Sequence, residues 1–288
     1  MKKYFKLFLI CIITISLTGC FKKDSFEDIT IYTTSYPIEY IVSHLYGNYS
    51  QVNSIYPDGV DIDSYELTKK QIKDYSEMDL YVFNGKNTKE TEYVTSMFKN
   101  NKNLKIIDST TTMEYSYSEN ELWLDPSNFL MVASNIKKGI LEYTSNHYLK
   151  NEIEKNYDEM KITISKIDAN LKLMYENSNN KIIVVDDNSL LFLKKYGFDV
   201  LSLKAEDVSS KTILDIEKYI ADGKISYIYT VKNNELSDYA KELVNKTKIN
   251  ILELNSLNNL TDEQRKNKED YVTLLNNNIE LLKEELYD

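Results

Sequence analysis

Between Leu149 and Tyr175 the chain has neither proline nor glycine, and Ile153, Tyr157, Met160, Ile164, Ile167, Leu171 and Met174 recur at steps of three and four. That period belongs to one amphipathic helix, roughly 40 Å long at 1.5 Å per residue. Such a helix either lies on the surface of a single domain or acts as a strut between two lobes. The segments on either side of it point to the strut.

Upstream, strand-like and helix-like stretches alternate. Ile29–Thr34 reads as a buried strand, Pro37 opens a helix that Gly47 ends, and Val52–Tyr56 is a second strand followed by the turn Pro57-Asp58-Gly59. A helix over 68–75, a strand over 80–83, a helix over 89–99 and a strand over 104–107 follow. Residues 109–120 are polar and read as a loop, after which Asp125-Pro126-Ser127 starts another helix. Downstream of the long helix the alternation resumes. It gives strands over 182–185, 200–203, 227–230 and 250–254, helices over 190–196, 213–221 and 237–244, and a last helix over 262–286. Alternation of this kind implies crossovers and parallel sheets between helices. The expected fold is α/β: two lobes, each a parallel sheet flanked by helices, joined by one long helix.

The first residues fix where such a protein works. Lys2, Lys3 and Lys6 precede an apolar run from Leu7 to Leu17, too short to remain as a membrane-spanning helix. Leu17-Thr18-Gly19-Cys20 follows and looks like a bacterial lipobox, in which the cysteine is acylated and becomes the first mature residue. Residues 1–19 are therefore expected to be a removed signal, with 20–28 as lipid anchor and tether on the outer face of a membrane. Cys11 leaves with the signal, so no thiol remains for a disulfide, a nucleophile or a thiolate metal site. With 45 acidic against 35 basic residues the full chain carries a charge of −10, and the signal removes three lysines more. Nucleic acid is a poor partner for such a body, whereas a cationic ligand is electrostatically reasonable. Only His44 and His147 could supply imidazole, and only seven glycines are present. A Ser-His-Asp set and a glycine-rich phosphate loop are both missing, so an enzyme is not expected.

Several segments then fall in a telling order. Thr33-Thr34-Ser35-Tyr36-Pro37-Ile38 follows the first strand; Pro57-Asp58-Gly59-Val60-Asp61 and Tyr65-Glu66-Leu67-Thr68 follow the second. Asp79-Leu80-Tyr81-Val82-Phe83-Asn84-Gly85 forms the third, Trp123-Leu124-Asp125-Pro126 opens the helix after the polar loop, and Phe192-Leu193-Lys194-Lys195-Tyr196-Gly197 lies in the second block. With the lipobox and the long helix, this set resembles the zinc- and manganese-binding lipoproteins of bacterial ABC importers, the metal-binding adhesin type. The resemblance spans nearly all of the chain after the signal. It implies an N-terminal lobe over 29–147, a linking helix over 148–178 and a C-terminal lobe over 179–288. It also implies a small ligand held between the lobes, a membrane permease with its ATPase as partners, and a monomer tethered to lipid through Cys20.

The resemblance further locates the ligand positions, and there this chain departs. Members hold the ion with three histidines, or two and a glutamate, plus a carboxylate. The corresponding positions here are Asp63, Glu121 and Asp186, with Val231 at the fourth, where it cannot coordinate. Neither histidine maps onto the site, and a histidine-rich loop is absent from 109–120. Zinc prefers imidazole and thiolate, whereas an all-oxygen set suits manganese or another hard divalent cation. If three carboxylates converge at about 5 Å, each like-charged pair costs roughly 3 kcal/mol at an effective dielectric of about 20. A bound cation, a retained proton, or a lysine such as Lys204 or Lys232 entering the cleft would each relieve that cost. Singly, each acid also has a structural reading: Asp186 as a helix cap, Asp63 in an Asx-turn, Glu121 as a loop acid. Two functions remain open. One is the substrate-binding subunit of a metal-type importer. The other is a family member whose site has degenerated and which serves in adhesion or scaffolding, or binds a non-metal solute.

Overall fold

The computed structural model describes residues 26–114, 121–204, 208–232 and 234–287. The signal and the lipobox, Cys20 included, lie outside the described residues.

The first sheet is built from β1 (Ile29–Thr33), β2 (Ser50–Ser54), β3 (Leu80–Phe83) and β4 (Lys105–Asp108), all parallel, in the order β2-β1-β3-β4. The central strand β3 is buried along its whole length, as expected where helices cover both faces. Helices α1 (Tyr36–Tyr46), α2 (Lys69–Tyr75) and α3 (Thr88–Asn100) make the crossovers. Each start has a local cause. Pro37 pre-sets the first turn of α1, Thr68 and Gln71 form a capping box on α2, and Asn87 caps α3. α4 (Glu121–Leu124) and α5 (Pro126–Tyr143) follow, with Asp125 accepting from Ser127 N at 2.8 Å as the cap of α5.

α6 runs unbroken from His147 to Asn177, 31 residues, capped by Asn146. It buries Leu149, Ile153, Met160, Ile164, Ile167, Leu171 and Met174, the periodic residues of the sequence save the half-buried Tyr157. Each contributes roughly 1.5–3 kcal/mol by leaving water. These side chains belong to one apolar cluster that also contains Ile31 and Leu80 of the first sheet and Ile183 and Tyr229 of the second.

The second sheet repeats the topology of the first. β5 (Ile182–Val185), β6 (Asp199–Ser202), β7 (Tyr227–Val231) and β8 (Asn250–Leu254) are parallel in the order β6-β5-β7-β8. α7 (Ser210–Ala221), α8 (Asp238–Thr247), α9 (Asp262–Lys266) and α10 (Tyr271–Leu286) complete it.

Two expectations change. The segment before Gly197 is a 3-10 helix, Leu191–Tyr196, not an α-helix. It is one short pass between β5 and β6, and Gly197 (φ 108°) ends it where an added Cβ would meet the Tyr175 ring at 2.6 Å. The final helix is two helices. Lys268 adopts φ 57° and Asp270 then recaps the chain for α10, so the break is a turn with its own cap. β2 starts at Ser50, two residues before its expected position, and β4 and β6 start at Lys105 and Asp199, each one residue away, the usual ambiguity of strand ends.

Candidate functional site

Both sheets send their strand carboxyl ends toward one crevice, the place where open parallel sheets bind ligands. From the first sheet comes the segment after β2, Gly59–Asp63. From the second come the end of β7 and the segment after β8, between Ser256 and Thr261. A cavity of about 480 Å³ lies between them, with Asp61 and Asp63 on one side, Val231, Lys232 and Asn234 on another, and Ser256, Asn258 and Asn259 closing the third.

The walls are fixed by bonds across the crevice. Gly59 N donates to Leu260 O at 2.7 Å, and Tyr36 N to Asn258 O at 2.8 Å. The Asn259 amide donates to Pro57 O and Val60 O at 2.8 and 3.1 Å. Lys89 of α3 donates to three main-chain carbonyls, Ile62, Asp63 and Tyr65, at 2.7, 2.8 and 3.1 Å. An ammonium has three protons, so this lysine is fully committed to holding the loop. Asn278, buried on α10, exchanges both of its amide groups with the main chain of Asn255, at 2.8 and 2.9 Å. In the same loop Leu257 is buried at φ 63°, a conformation that costs a non-glycine residue of order 1 kcal/mol and persists only where the surroundings impose it.

Further clamps join the two halves beyond the cavity. Arg265 is the only arginine of the chain. Its Nη1 and Nη2 meet the Glu39 carboxylate at 2.6 and 3.0 Å, while Nε and Nη2 meet Asp58 at 2.9 and 2.8 Å. Lys195 pairs with Asp125, Tyr271 donates to Trp123 O, and the Tyr271 ring stacks on Phe129 at 4.2 Å.

The ligand positions implied by the resemblance are distributed unevenly. Asp63 is exposed and lines the cavity, with Asp61 two residues before it. Asp61 accepts from Asp63 N at 3.0 Å, the Asx-turn geometry, and hydrogen bonding from Ser64 holds its carboxyl below the ordinary value. Asp186 is buried at 6 % exposure. Its carboxylate accepts from Ser237 N at 2.9 Å and Ser237 Oγ at 2.5 Å, and Ser237 in turn caps α8. Asp186 does not cap the helix that follows it, as its structural reading had it; the local bond there is made by Asp187, which accepts from Ser189 N at 2.7 Å. Glu121 opens α4, and its side chain lies outside the described residues. Val231 is a buried strand end beside the cavity. Among the described residues, no three His, Cys, Asp or Glu side chains come together in a way that could hold a metal ion. His44 stacks on Tyr40 with Nδ1 2.8 Å from Tyr40 O, and His147 begins α6; both are exposed and away from the crevice. Lys232, one of the two lysines singled out, borders the cavity, while Lys204 is not part of its lining.

Sequence reasoning missed Ser237, Asn258 and Arg265. Arg265 carried a signal, being a lone arginine among lysines. The polar break Asn255–Asn259 between a strand and a helix was a weaker one.

The architecture has counterparts. The ZnuA-like domain of AdcA from Streptococcus pneumoniae, a Zn(II)-bound crystal structure, superposes with a TM-score of 0.70 over 91 % of this chain and 100 % of that one, at 21 % identity. A family profile described as zinc-uptake complex component A, periplasmic (ZnuA) matches residues 31–285. The chain belongs to that family. Among ZnuA-type relatives, the metal ABC transporter substrate-binding lipoprotein SloC of Streptococcus mutans is 25 % identical over 228 residues, 73 % of this chain and 74 % of that protein. The manganese ABC transporter substrate-binding lipoprotein PsaA of Streptococcus mitis is 28 % identical over 218 residues, 68 % and 70 % of the two chains. Within this ZnuA-family fold the crevice between the sheets is thus the ligand site to test. Among the described residues, no helix is long and apolar enough to cross a membrane.

Proposed function

We propose that this protein is the lipid-anchored substrate-binding component of a metal-type ABC importer. It captures a divalent cation in the crevice between its two sheets and passes it to a membrane permease driven by an ATPase. The observation that carries this reading is the family match along 31–285, combined with a cavity at the strand carboxyl ends that holds Asp63. The lipobox supports an extracytoplasmic site of action, with Cys20 as the acylated residue. Function is delivery of cargo, with no bond made or broken.

The cargo is met by oxygen. Asp63 is the ligand already in the cavity. Asp186, with two of its about four lone-pair sites taken by Ser237, keeps capacity for two more partners, and Glu121 is the third candidate. Carboxylate donors favour manganese or another hard ion over zinc. The test is equilibrium dialysis of the detergent-solubilised mature lipoprotein against manganese and zinc, read by elemental analysis. Manganese retained in preference to zinc, and lost from the Asp63→Ala, Asp186→Ala double variant, is the expected result. Nanomolar zinc binding would overturn the oxygen-site reading, and no retention of any divalent ion would overturn the cargo.

A further inference from the structure

The chain joins the fold at one fixed point. Phe26, 1 % exposed, stacks on the Tyr143 ring at 5.2 Å, and the Glu27 carboxylate accepts from Asn146 Nδ2 at 3.3 Å. Only five residues separate Cys20 from Phe26, and two of them are Lys22 and Lys23. Even fully extended, that stretch reaches about 20 Å. A lipid on Cys20 therefore keeps this corner of the first lobe close to the bilayer, however the rest of the body turns.

The surface around that point has the opposite sign to the chain, which carries 45 acidic against 35 basic residues. Lys105, the first residue of β4, is exposed and lies over the ring on which Phe26 stacks, its Nζ 5.5 Å from the Tyr143 centroid. Lys137 and Lys138 of α5 and Lys150 of α6 line one shallow groove of about 570 Å³, together with Ser134, Leu141 and Glu142. Lys137 Nζ is held 4.1 Å from the centre of the Tyr157 ring, across the junction of the two helices. Among the described residues, none of these four ammonium groups has a carboxylate within salt-bridge distance, and Glu142 is the one acid of the groove. Tyr148, 61 % exposed, stands between Asn146 and Lys150 on the first turn of α6. Such an amphipathic ring is at home among lipid headgroups.

An acidic body is repelled by an anionic surface in every orientation except the one that presents its basic corner. Each lysine near such a surface strengthens attachment about fivefold, and salt screens the effect. We propose that this corner is a membrane-facing surface that docks on anionic phospholipid. Lys105, Lys137, Lys138 and Lys150 meet headgroup phosphates, and Tyr148 sits at headgroup depth. The inference rests on the lipid-anchored reading and gives it an orientation. The tether enters β1, and β4 begins at Lys105, on the amino-end edge of the first sheet, whereas the cavity lies at the carboxyl ends. Docked in this way, the crevice stands off the bilayer and is open to cargo; the body must tip to present it to a permease.

The experiment is lysine footprinting of the mature lipoprotein in nanodiscs with an uncharged acetylating reagent, read by mass spectrometry. One set of discs is phosphatidylcholine alone; the other is equal parts phosphatidylcholine and phosphatidylglycerol. Intact mass first tests for acyl chains on Cys20. In the anionic discs Lys105, Lys137, Lys138 and Lys150 should react roughly threefold or more slowly than in neutral discs, and about 0.5 M salt should restore their rates. Lys241 and Lys246 of α8 should react alike in both. Lys105→Gln, Lys138→Gln and Lys150→Gln together should remove the lipid-dependent protection of Lys137, with circular dichroism checking the fold of that variant. Equal rates in the two discs, or protection of the α8 lysines instead, overturns the orientation and leaves the anchored importer reading standing. An unacylated Cys20 overturns the anchor, and the orientation with it.

Discussion

Arg265 joins two acids of the opposite lobe with a single planar group. Glu39 is nearly buried, its side chain 12 % exposed, so removing the guanidinium strands a desolvated carboxylate. Arg265→Gln should lower stability by about 2–3 kcal/mol, read as a shift in urea midpoint at constant slope. Arg265→Lys should recover little of it, because an ammonium cannot span both carboxylates in a fork. Asp61 gives a pH effect at the same scale. Its folded value lies below the ordinary 3.8, chiefly through the Ser64 hydrogen bond. A depressed acid stabilises the fold above its unfolded value and loses that contribution as pH falls through the folded one. The 61–64 turn should therefore persist down to pH 3.8 and open below it, seen as faster amide exchange of Asp63; Asp61→Asn should remove the transition.

At the scale of elements, α10 carries more than its periodicity announces. Its apolar face enters the shared core, but its polar residues organise the neighbours. Glu285, 5 % exposed, accepts from Ser226 N and Tyr227 N at 2.8–3.0 Å and so fixes where β7 begins. Tyr271 reaches across to Trp123 and Phe129. Tyr271→Ala should cost about 3–5 kcal/mol, from lost packing and an unpaired Trp123 carbonyl. Tyr271→Phe should cost about 1–2 kcal/mol, since the ring stays and only the hydrogen bond goes. Thermal unfolding of both separates the two contributions. The split between α9 and α10 has the same logic. An uninterrupted helix over 262–286 would carry Arg265 past its acids, whereas the turn at Lys268 lets α9 lie on the first lobe while α10 packs on the second.

For the whole molecule, buried phenols set the alkaline limit. Tyr81, Tyr229 and Tyr271 are pushed above the ordinary phenol range by burial, and Tyr36, Tyr56 and Tyr196 likewise. A raised folded value means that the stability is complete below the unfolded value of 10.0 and is lost as pH rises above it. Tyrosine absorbance should therefore rise late and cooperatively, together with loss of ellipticity, with exposed phenols titrating first. Cargo acts in the opposite direction: a ligand at 100 times its Kd should add about 2.7 kcal/mol and raise the melting point by mass action. Cys20→Ala should release the protein from membranes into the medium without changing that shift.

The sequence by itself determined the alternation of strands and helices, because hydrophobic period and capping residues are local properties. α6, β3, β5 and β8 and the start of α5 at Asp125 were legible in this way; the caps at Thr68 and Asn87 emerged from the structure. The family resemblance, not a local pattern, put Asp63 and Lys232 near one expected site, and both line the cavity. Only the tertiary structure decided that Asp186 spends its carboxylate on Ser237, that Asp61 and Lys232 border one cavity, and that Arg265 closes on Glu39 and Asp58. Those partners lie 51, 171 and more than 200 positions apart. No local pattern records such pairings; they follow from how two sheets and a shared core bring distant loops to a common edge.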